Sequence, residues 1–203
     1  MDRTSSREIV HFIASLLVLT IAFTYPNTRP EVLMIVAFGV GTGFLLHELA
    51  HKFTAQRYGY IAAYEASAAG LLLALGLKFF TGFVFAAPGA VMIRGKKAYY
   101  NPLEDQYLDS LKTAKEFSYI SVSGAVVNLI LAVLFFIASS FAAPYSLAKA
   151  ALMTGTNINM MLAGFNMIPL GPLDGANVLR YNPVLWVIIG LPSIVLLLIF
   201  FIL

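Results

Sequence analysis

The chain contains no cysteine, which excludes disulfides and every metal site built on thiolates. Charged residues are also scarce: they make up 11% of the chain, whereas soluble domains carry about 25%. Histidine occurs only three times, so any transition-metal site must combine these histidines with aspartate or glutamate. The formal net charge of +3 comes without a basic arm or stripe, and no nucleic-acid partner is therefore expected.

Apolar residues dominate instead, at 60% of the chain with a mean hydropathy of +0.83. Several apolar runs reach the roughly 20 residues that a helix needs to cross a bilayer. The sequence predicts an all-α, polytopic transmembrane helical bundle with five to six membrane segments, forming a single domain over residues 1–203. The segments are about 9–25, 32–58, 67–93, 117–141, 146–167 and 183–203.

The third of these segments differs from the others because it is interrupted by glycines and by Pro88-Gly89. It either crosses the membrane or forms a re-entrant or broken piece, with room for a short β-hairpin about Pro88-Gly89. Lysine and arginine near membrane ends prefer the cytoplasmic side. With the N-terminus inside, the basic stretch 94–115 is also inside only if segment three makes no net crossing. This predicts a multi-pass cell-membrane protein with five crossings.

A His-Glu-x-x-His motif lies at the inward end of the second segment, at residues 47–51. His47 and His51 are one helical turn apart on the same face, so both imidazoles can bind one Zn²⁺. Glu48 is turned by about 100° and can act as a general base beside the metal. The alternative is an amphipathic helix end, but two histidines and a glutamate are costly at membrane depth.

A catalytic zinc site needs a third protein ligand. His11 lies near the same face of the membrane but is more simply an interfacial histidine. Glu65 and the acidic residues of 104–116 lie in polar stretches and are expected to be solvated. Asp174 lies at the inward end of segment five, on the same side as the histidine pair, and its carboxylate would offset the charge of the metal. Its alternative role is capping a helix that begins after Pro172.

Together these two stretches resemble the signature of the site-2 protease family of intramembrane zinc metalloproteases. His-Glu-x-x-His is followed far downstream by Asn-x-x-Pro-x-x-x-Leu-Asp-Gly, with matches at Asn166, Pro169, Leu173, Asp174 and Gly175. The resemblance implies one zinc per chain, bound by His47, His51 and Asp174. It also implies that Glu48 is the catalytic base and that Asn166 polarises the scissile carbonyl.

A weaker motif lies between the two signatures. Gly124 and Asn128 match the Gly-Pro-x-x-Asn pattern of that family, with Ala125 in place of proline. The resemblance suggests that Gly124, Asn128 and Gly175 surround the zinc ligands; the alternative for Gly124 is a small-residue face for helix packing. The expected catalytic core is about residues 32–182, and the resemblance covers about 43–182 of it. An additional PDZ or CBS domain is not recognisable in the sequence.

The function that the resemblance implies is zinc-dependent endoproteolysis in or near transmembrane segments of membrane-protein substrates, with the active site toward the cytoplasmic side. Expected partners are the substrate and the lipid bilayer; the sequence does not specify an oligomeric state. One alternative is a transporter or channel that uses intramembrane histidine and carboxylate groups as an ion path. Another is an inactive metal-binding homologue.

Overall fold

The structure is a computed structural model that describes residues 4–82, 84, 88–96 and 106–202. Helices predominate in these ranges, and two short strands pair with each other. The elements are α1 (Ser6–Thr24), α2 (Pro30–Val40), a π-helical turn (Gly41–Leu45), α3 (Leu46–Arg57), β1 (Tyr60–Ala66), α4 (Ala68–Thr81), β2 (Gly89–Lys96), α5 (Gln106–Phe141), α6 (Leu147–Asn166), α7 (Asp174–Tyr181), α8 (Pro183–Leu185), a second π-helical turn (Trp186–Gly190) and α9 (Leu191–Ile202).

Three helices in the described part of the chain are long and apolar enough to cross a membrane. They are Ser6–Thr24, Pro30–Arg57 and Lys112–Phe141. The apolar helices Ala68–Thr81 and Pro183–Ile199 are shorter. These three helices have the apolar composition expected of a membrane protein. The predicted number of five to six membrane segments stays a prediction.

Helices α2 and α3 form one continuous helix through the π turn at Gly41–Leu45. The helix begins at Pro30. Proline lacks a backbone N–H, but an N–H in the first turn of a helix has no partner within the helix, so no hydrogen bond is lost. A π turn adds one residue to the helical repeat, and such turns are frequent at functional sites. Here the turn ends two residues before His47, and it therefore sets the rotation of the histidine motif relative to α2.

The two strands correct the all-α prediction. β1 and β2 pair antiparallel, with Ala66 opposite Gly89 and Ile61 opposite Arg94. In the described residues, the partner of β2 is β1, which lies before α4. The predicted hairpin about Pro88-Gly89 stays a prediction, because residues 83 and 85–87 lie outside the described residues. Ser67 N–H donates to the carbonyl of Pro88 at 2.8 Å, so segment three starts and ends at one level of the molecule.

Two other boundaries also differ from the sequence-based prediction. Segment three contains an unbroken helix, α4, which runs through Gly70 and Gly76. The helix is followed by Gly82, whose φ of +77° ends it. The helix that contains segment four starts at Gln106, before the membrane segment predicted from about residue 117, because the polar residues before that segment continue the same helix. Such polar residues are compatible with a helix whose first turns leave the apolar layer.

Glu8 of α1 connects this helix to α3 through a buried ion pair and to β1 through a hydrogen bond. Lys52 Nζ lies 2.7 Å from Oε2 of Glu8, and both residues are almost fully buried. The other oxygen of Glu8 accepts from the backbone N–H of Tyr64 at 3.0 Å. Since Lys52 directly follows His51, this pair anchors the turn that carries the histidine motif.

The candidate site lies where α3, α5, α6 and α7 meet. Helix α5 packs against both α3 and α6, and α7 packs across α5. One apolar cluster joins α5, α6 and α7 through Ala125, Met167 and Val178. The polar residues of α3 therefore face α5 and α7 in the interior of the bundle.

Candidate metal centre

Three ligand atoms from two distant parts of the chain converge in the interior. The Nε2 atoms of His47 and His51 are 3.0 Å apart. Oδ2 of Asp174 lies 3.2 Å from Nε2 of His47 and 3.1 Å from Nε2 of His51. Both histidines are buried, and the carboxylate is half-buried. The structure thus brings together the three residues that the sequence nominated as ligands.

The outer nitrogen of each imidazole makes a hydrogen bond that defines its tautomer. Nδ1 of His47 lies 2.6 Å from Oδ1 of Asn128, and Nδ1 of His51 lies 2.7 Å from the carbonyl oxygen of Ile120. Both partners are acceptors, so both Nδ1 atoms donate and carry the hydrogen. The lone pairs of both Nε2 atoms therefore point at each other and at the carboxylate, an arrangement that is repulsive without a cation between them.

The donor set and its spacing fit Zn²⁺. A tetrahedral zinc ion with bonds of about 2.0–2.1 Å holds its ligand atoms roughly 3.3 Å apart. The three separations here, 3.0–3.2 Å, are close to that value. Two imidazoles and one carboxylate, with the fourth position left for water or substrate, form the donor set of a catalytic zinc site. The oriented Nδ1 hydrogen bonds are also typical of zinc-binding histidines.

Asp174 is the first residue of α7, so its carboxylate also meets the positive end of that helix dipole. Without a metal, a hydrogen on Nε2 of the imidazoles can take the place of the cation: burial alone would raise the pKa of the carboxyl group, but the charge of a protonated His51 and hydrogen bonds from both protonated imidazoles outweigh it and lower the pKa. The capping alternative is wrong: the N-cap is Leu173, and no side chain caps the helix. The ionised carboxylate is thus available to a metal.

Two glycines allow the elements of the site to approach each other. A Cβ on Gly124 would lie 2.6 Å from Nε2 of both His47 and His51, so α5 passes directly against the imidazoles. A Cβ on Gly175 would collide with the backbone of Met167 and Ile168, where α7 packs against the end of α6. Gly124 therefore contacts the ligands themselves, rather than serving only as a helix-packing residue, and Gly175 sets the position of Asp174.

A cavity of about 600 Å³ opens beside the three ligands. Glu48 and Asn166 both line it, together with residues 89–93 of β2. The amide nitrogen of Asn166 donates to the carbonyl of Leu162 at 3.0 Å, which uses one of its two hydrogens. The two predicted catalytic side chains thus share one cavity with the ligands; their roles stay predictions.

The chain is similar to a protein of Methanocaldococcus jannaschii that bears the provisional name zinc metalloprotease MJ0611. The two are 40% identical over 192 residues, which cover 95% of this chain and 93% of the relative. The chain belongs to this zinc metalloprotease family. No family model and no solved structure matches the chain. The converging donor set and the family relationship agree on zinc as the cofactor.

The remaining histidine and the other acidic residues weighed as ligands have different partners, although Glu65 also lines the cavity. Nδ1 of His11 accepts a hydrogen bond from the backbone N–H of Ala66, as an ordinary structural histidine. Glu65 pairs with Arg94 at the surface. Glu116 is buried rather than solvated, because it accepts a hydrogen bond from the hydroxyl of Tyr60 at 2.8 Å. Glu104, Asp105 and the side chain of Asp109 lie outside the described residues.

The sequence did not indicate two groups that support the ligands. One is the carbonyl of Ile120, which no residue type reveals, because every residue has one. The other is Asn159 of α6, which is fully buried and donates to the carbonyl of Gly155. An uncharged amide at membrane depth is the signal that could have identified it.

Proposed function

We propose that this protein is an intramembrane zinc endopeptidase that hydrolyses peptide bonds in or near transmembrane segments of membrane-protein substrates. The observation that carries the proposal is the buried group of His47, His51 and Asp174. Two of these ligands lie on a helix, Pro30–Arg57, that is long and apolar enough to cross a bilayer. A hydrolytic site at that depth reaches substrates that soluble proteases do not.

The side chains of the cavity supply the remaining chemistry. Bound zinc would act as a Lewis acid and make water a stronger nucleophile near neutral pH. Glu48 accepts the proton of the attacking water and delivers it to the nitrogen of the departing amine. Asn166 has one amide hydrogen beyond its bond to Leu162, and it donates this hydrogen to the oxygen of the scissile carbonyl.

Strand β2 supplies a surface for an extended substrate. A helical substrate hides its peptide bonds in backbone hydrogen bonds and must unwind before it can be attacked. β2 pairs with β1 on one edge, and residues 89–93 of β2 line the same cavity as the ligands. An unwound substrate added to the other edge would have its backbone held beside the zinc site.

We place the protein in the cell membrane as a multi-pass protein, with the N-terminus and the zinc site toward the cytoplasmic side. The argument is the position of the basic residues: Arg57 ends α3, and Arg94 lies in β2 opposite Ile61 at the same level. Basic residues near membrane ends favour the cytoplasmic face. The lipid bilayer and a transmembrane protein are the expected partners.

The proposal is tested by measuring zinc content and cleavage on the full-length protein in detergent. The substrate is a panel of reporter proteins, each with one transmembrane segment containing glycine, proline or asparagine. Wild type should hold one zinc per chain and cleave the reporter. His47→Ala should lose zinc and cleavage, while Glu48→Gln should keep zinc and lose cleavage.

Two results would contradict the proposal. Normal cleavage by Glu48→Gln would show that another group is the base. A wild-type protein that holds zinc but cleaves no reporter in the panel would instead favour a metal-binding protein without proteolytic activity. A conservative control is Glu31→Gln, an exposed acidic residue in the first turn of α2 that should leave both measurements unchanged.

A further inference from the structure

Asn159 is fully buried in α6, next to the zinc site but not in contact with the expected position of the metal. Its Nδ2 donates to the carbonyl of Gly155 in the same helix at 2.8 Å. Because a backbone carbonyl can only accept, this bond identifies the nitrogen side of the amide. The oxygen side of Asn159 must then face Asn128.

Asn128 is also fully buried, and both of its amide hydrogens are used. Its Nδ2 donates to Oδ1 of Asn159 at 2.8 Å and to the carbonyl of Gly43 at 3.0 Å. The oxygen of Asn128 therefore points at Nδ1 of His47, 2.6 Å away. His47 thus donates to Asn128, Asn128 donates to Asn159, and Asn159 donates to a backbone carbonyl of α6.

We propose that Asn159 is a positioning residue for the zinc site: it fixes which amide atom of Asn128 faces His47, and thereby which nitrogen of His47 is free to bind zinc. The proposal rests on the zinc site of the proposed function, but it concerns zinc affinity and not cleavage. Nothing in the spacing of the ligand motifs requires an asparagine at this position of α6.

The physical reason lies in the two orientations of the Asn128 amide. With its oxygen toward His47, Nδ1 carries the hydrogen and the Nε2 lone pair is free for zinc. With the amide reversed, Asn128 would present a donor, Nδ1 would have to accept, and the hydrogen would move to Nε2, where it blocks the metal. Without Asn159, the carbonyl of Gly43 is the one remaining partner of the Asn128 amide, within the described part of the chain, that opposes this reversal.

The direct test is Asn159→Leu, which keeps a similar shape and removes both hydrogen bonds. Zinc affinity of the full-length protein in detergent is measured by competition with a chelator. We expect it to fall by about tenfold, the low end of the range for groups that orient zinc ligands. The matched control is Asn157→Leu, the same substitution on the same helix at a half-buried residue, which should change affinity less than twofold.

A second background separates positioning from packing. In Asn128→Asp, the carboxylate accepts from His47 in either orientation, so Asn159 is no longer needed to orient it. Adding Asn159→Leu to Asn128→Asp should therefore cause no further loss of zinc affinity. Asn159→Ser, a smaller change that is easier for the helix to accommodate, is measured in both backgrounds in the same way.

The proposal is overturned if Asn159→Leu or Asn159→Ser weakens zinc binding equally in both backgrounds, because that would indicate a packing effect. It is also overturned if neither variant changes zinc affinity in the wild-type background, or if wild type binds no zinc. A wild type that binds zinc without cleaving any reporter would refute the protease proposal and leave this test intact.

Discussion

Gly124→Ala should weaken zinc binding strongly without unfolding the protein. A Cβ at this position would lie 2.6 Å from Cε1 and Nε2 of His47 and from Nε2 of His51. Real Cβ atoms essentially never come closer than 3.0 Å to another atom, and ordinary contact begins at 3.4 Å. The rings would have to move by about 0.8 Å, roughly four times the tolerance of about 0.2 Å in metal–ligand distances.

The imidazoles have little room to move. Their Nδ1 atoms are already 2.6 and 2.7 Å from Asn128 and Ile120, so shifting the rings breaks these bonds or compresses them. We therefore expect zinc affinity to fall by about 100-fold, the upper end for changes around a zinc site. Helix α5 itself should gain, because alanine is favoured over glycine in a helix interior by about 1 kcal/mol.

The assay combines chelator competition for zinc with thermal unfolding of the zinc-free protein. The matched control is Gly76→Ala in helix α4, where an added Cβ has nothing within 4 Å and zinc affinity should stay at the wild-type value. If Gly124→Ala binds zinc as tightly as wild type, the imidazoles do not lie against α5 in the zinc-bound protein, and the arrangement of the ligands deduced above is wrong.

Three further outcomes test other contacts. Glu8→Gln leaves the buried ammonium of Lys52 without its counter-charge and should lower the free energy of unfolding by about 3–5 kcal/mol, measured with denaturant in detergent; Glu65→Gln, at an exposed pair, should cost at most about 1 kcal/mol. Gly175→Ala should displace α7 and weaken zinc binding in the chelator competition, because the added methyl meets backbone that cannot rotate away. Proline substitutions at alternating positions of 90–93 should reduce cleavage in one register while zinc content is unchanged; cleavage intact in both registers would exclude strand addition at β2.

The ligand group could be predicted from the sequence because its chemistry imposes a spacing. His47 and His51 are one turn apart, and a helix brings them to one face wherever it lies. Asp174 was predicted as the third ligand because counting the membrane crossings places it on the same side of the membrane as the histidine pair. Both arguments depend only on regular helices, and the structure places these three residues within bonding reach of one ion.

The supporting residues could not be predicted in the same way. Asn159 acts through an amide that can donate or accept, and its partners lie 4 and 31 residues away along the chain. β1 was missed because Tyr60–Ala66 lacks the alternation of apolar and polar residues that would distinguish a strand from the end of a helix. In both cases the deciding contact is tertiary and leaves no local pattern.

The strand pairing bears on whether segment three crosses the membrane, a question that apolar length alone left open. β1 follows α3 directly, so its residues lie at the level where α3 ends. Because β2 pairs with β1 along its whole length, Arg94 lies at that level too, next to Ile61. A chain that crossed the bilayer between these strands would have to separate them by about 30 Å, which the hydrogen bonds forbid. The strand pairing thus brings Arg57 and Arg94 to one level of the molecule. This agrees with the proposed topology, in which segment three makes no net crossing and the basic residues share one side.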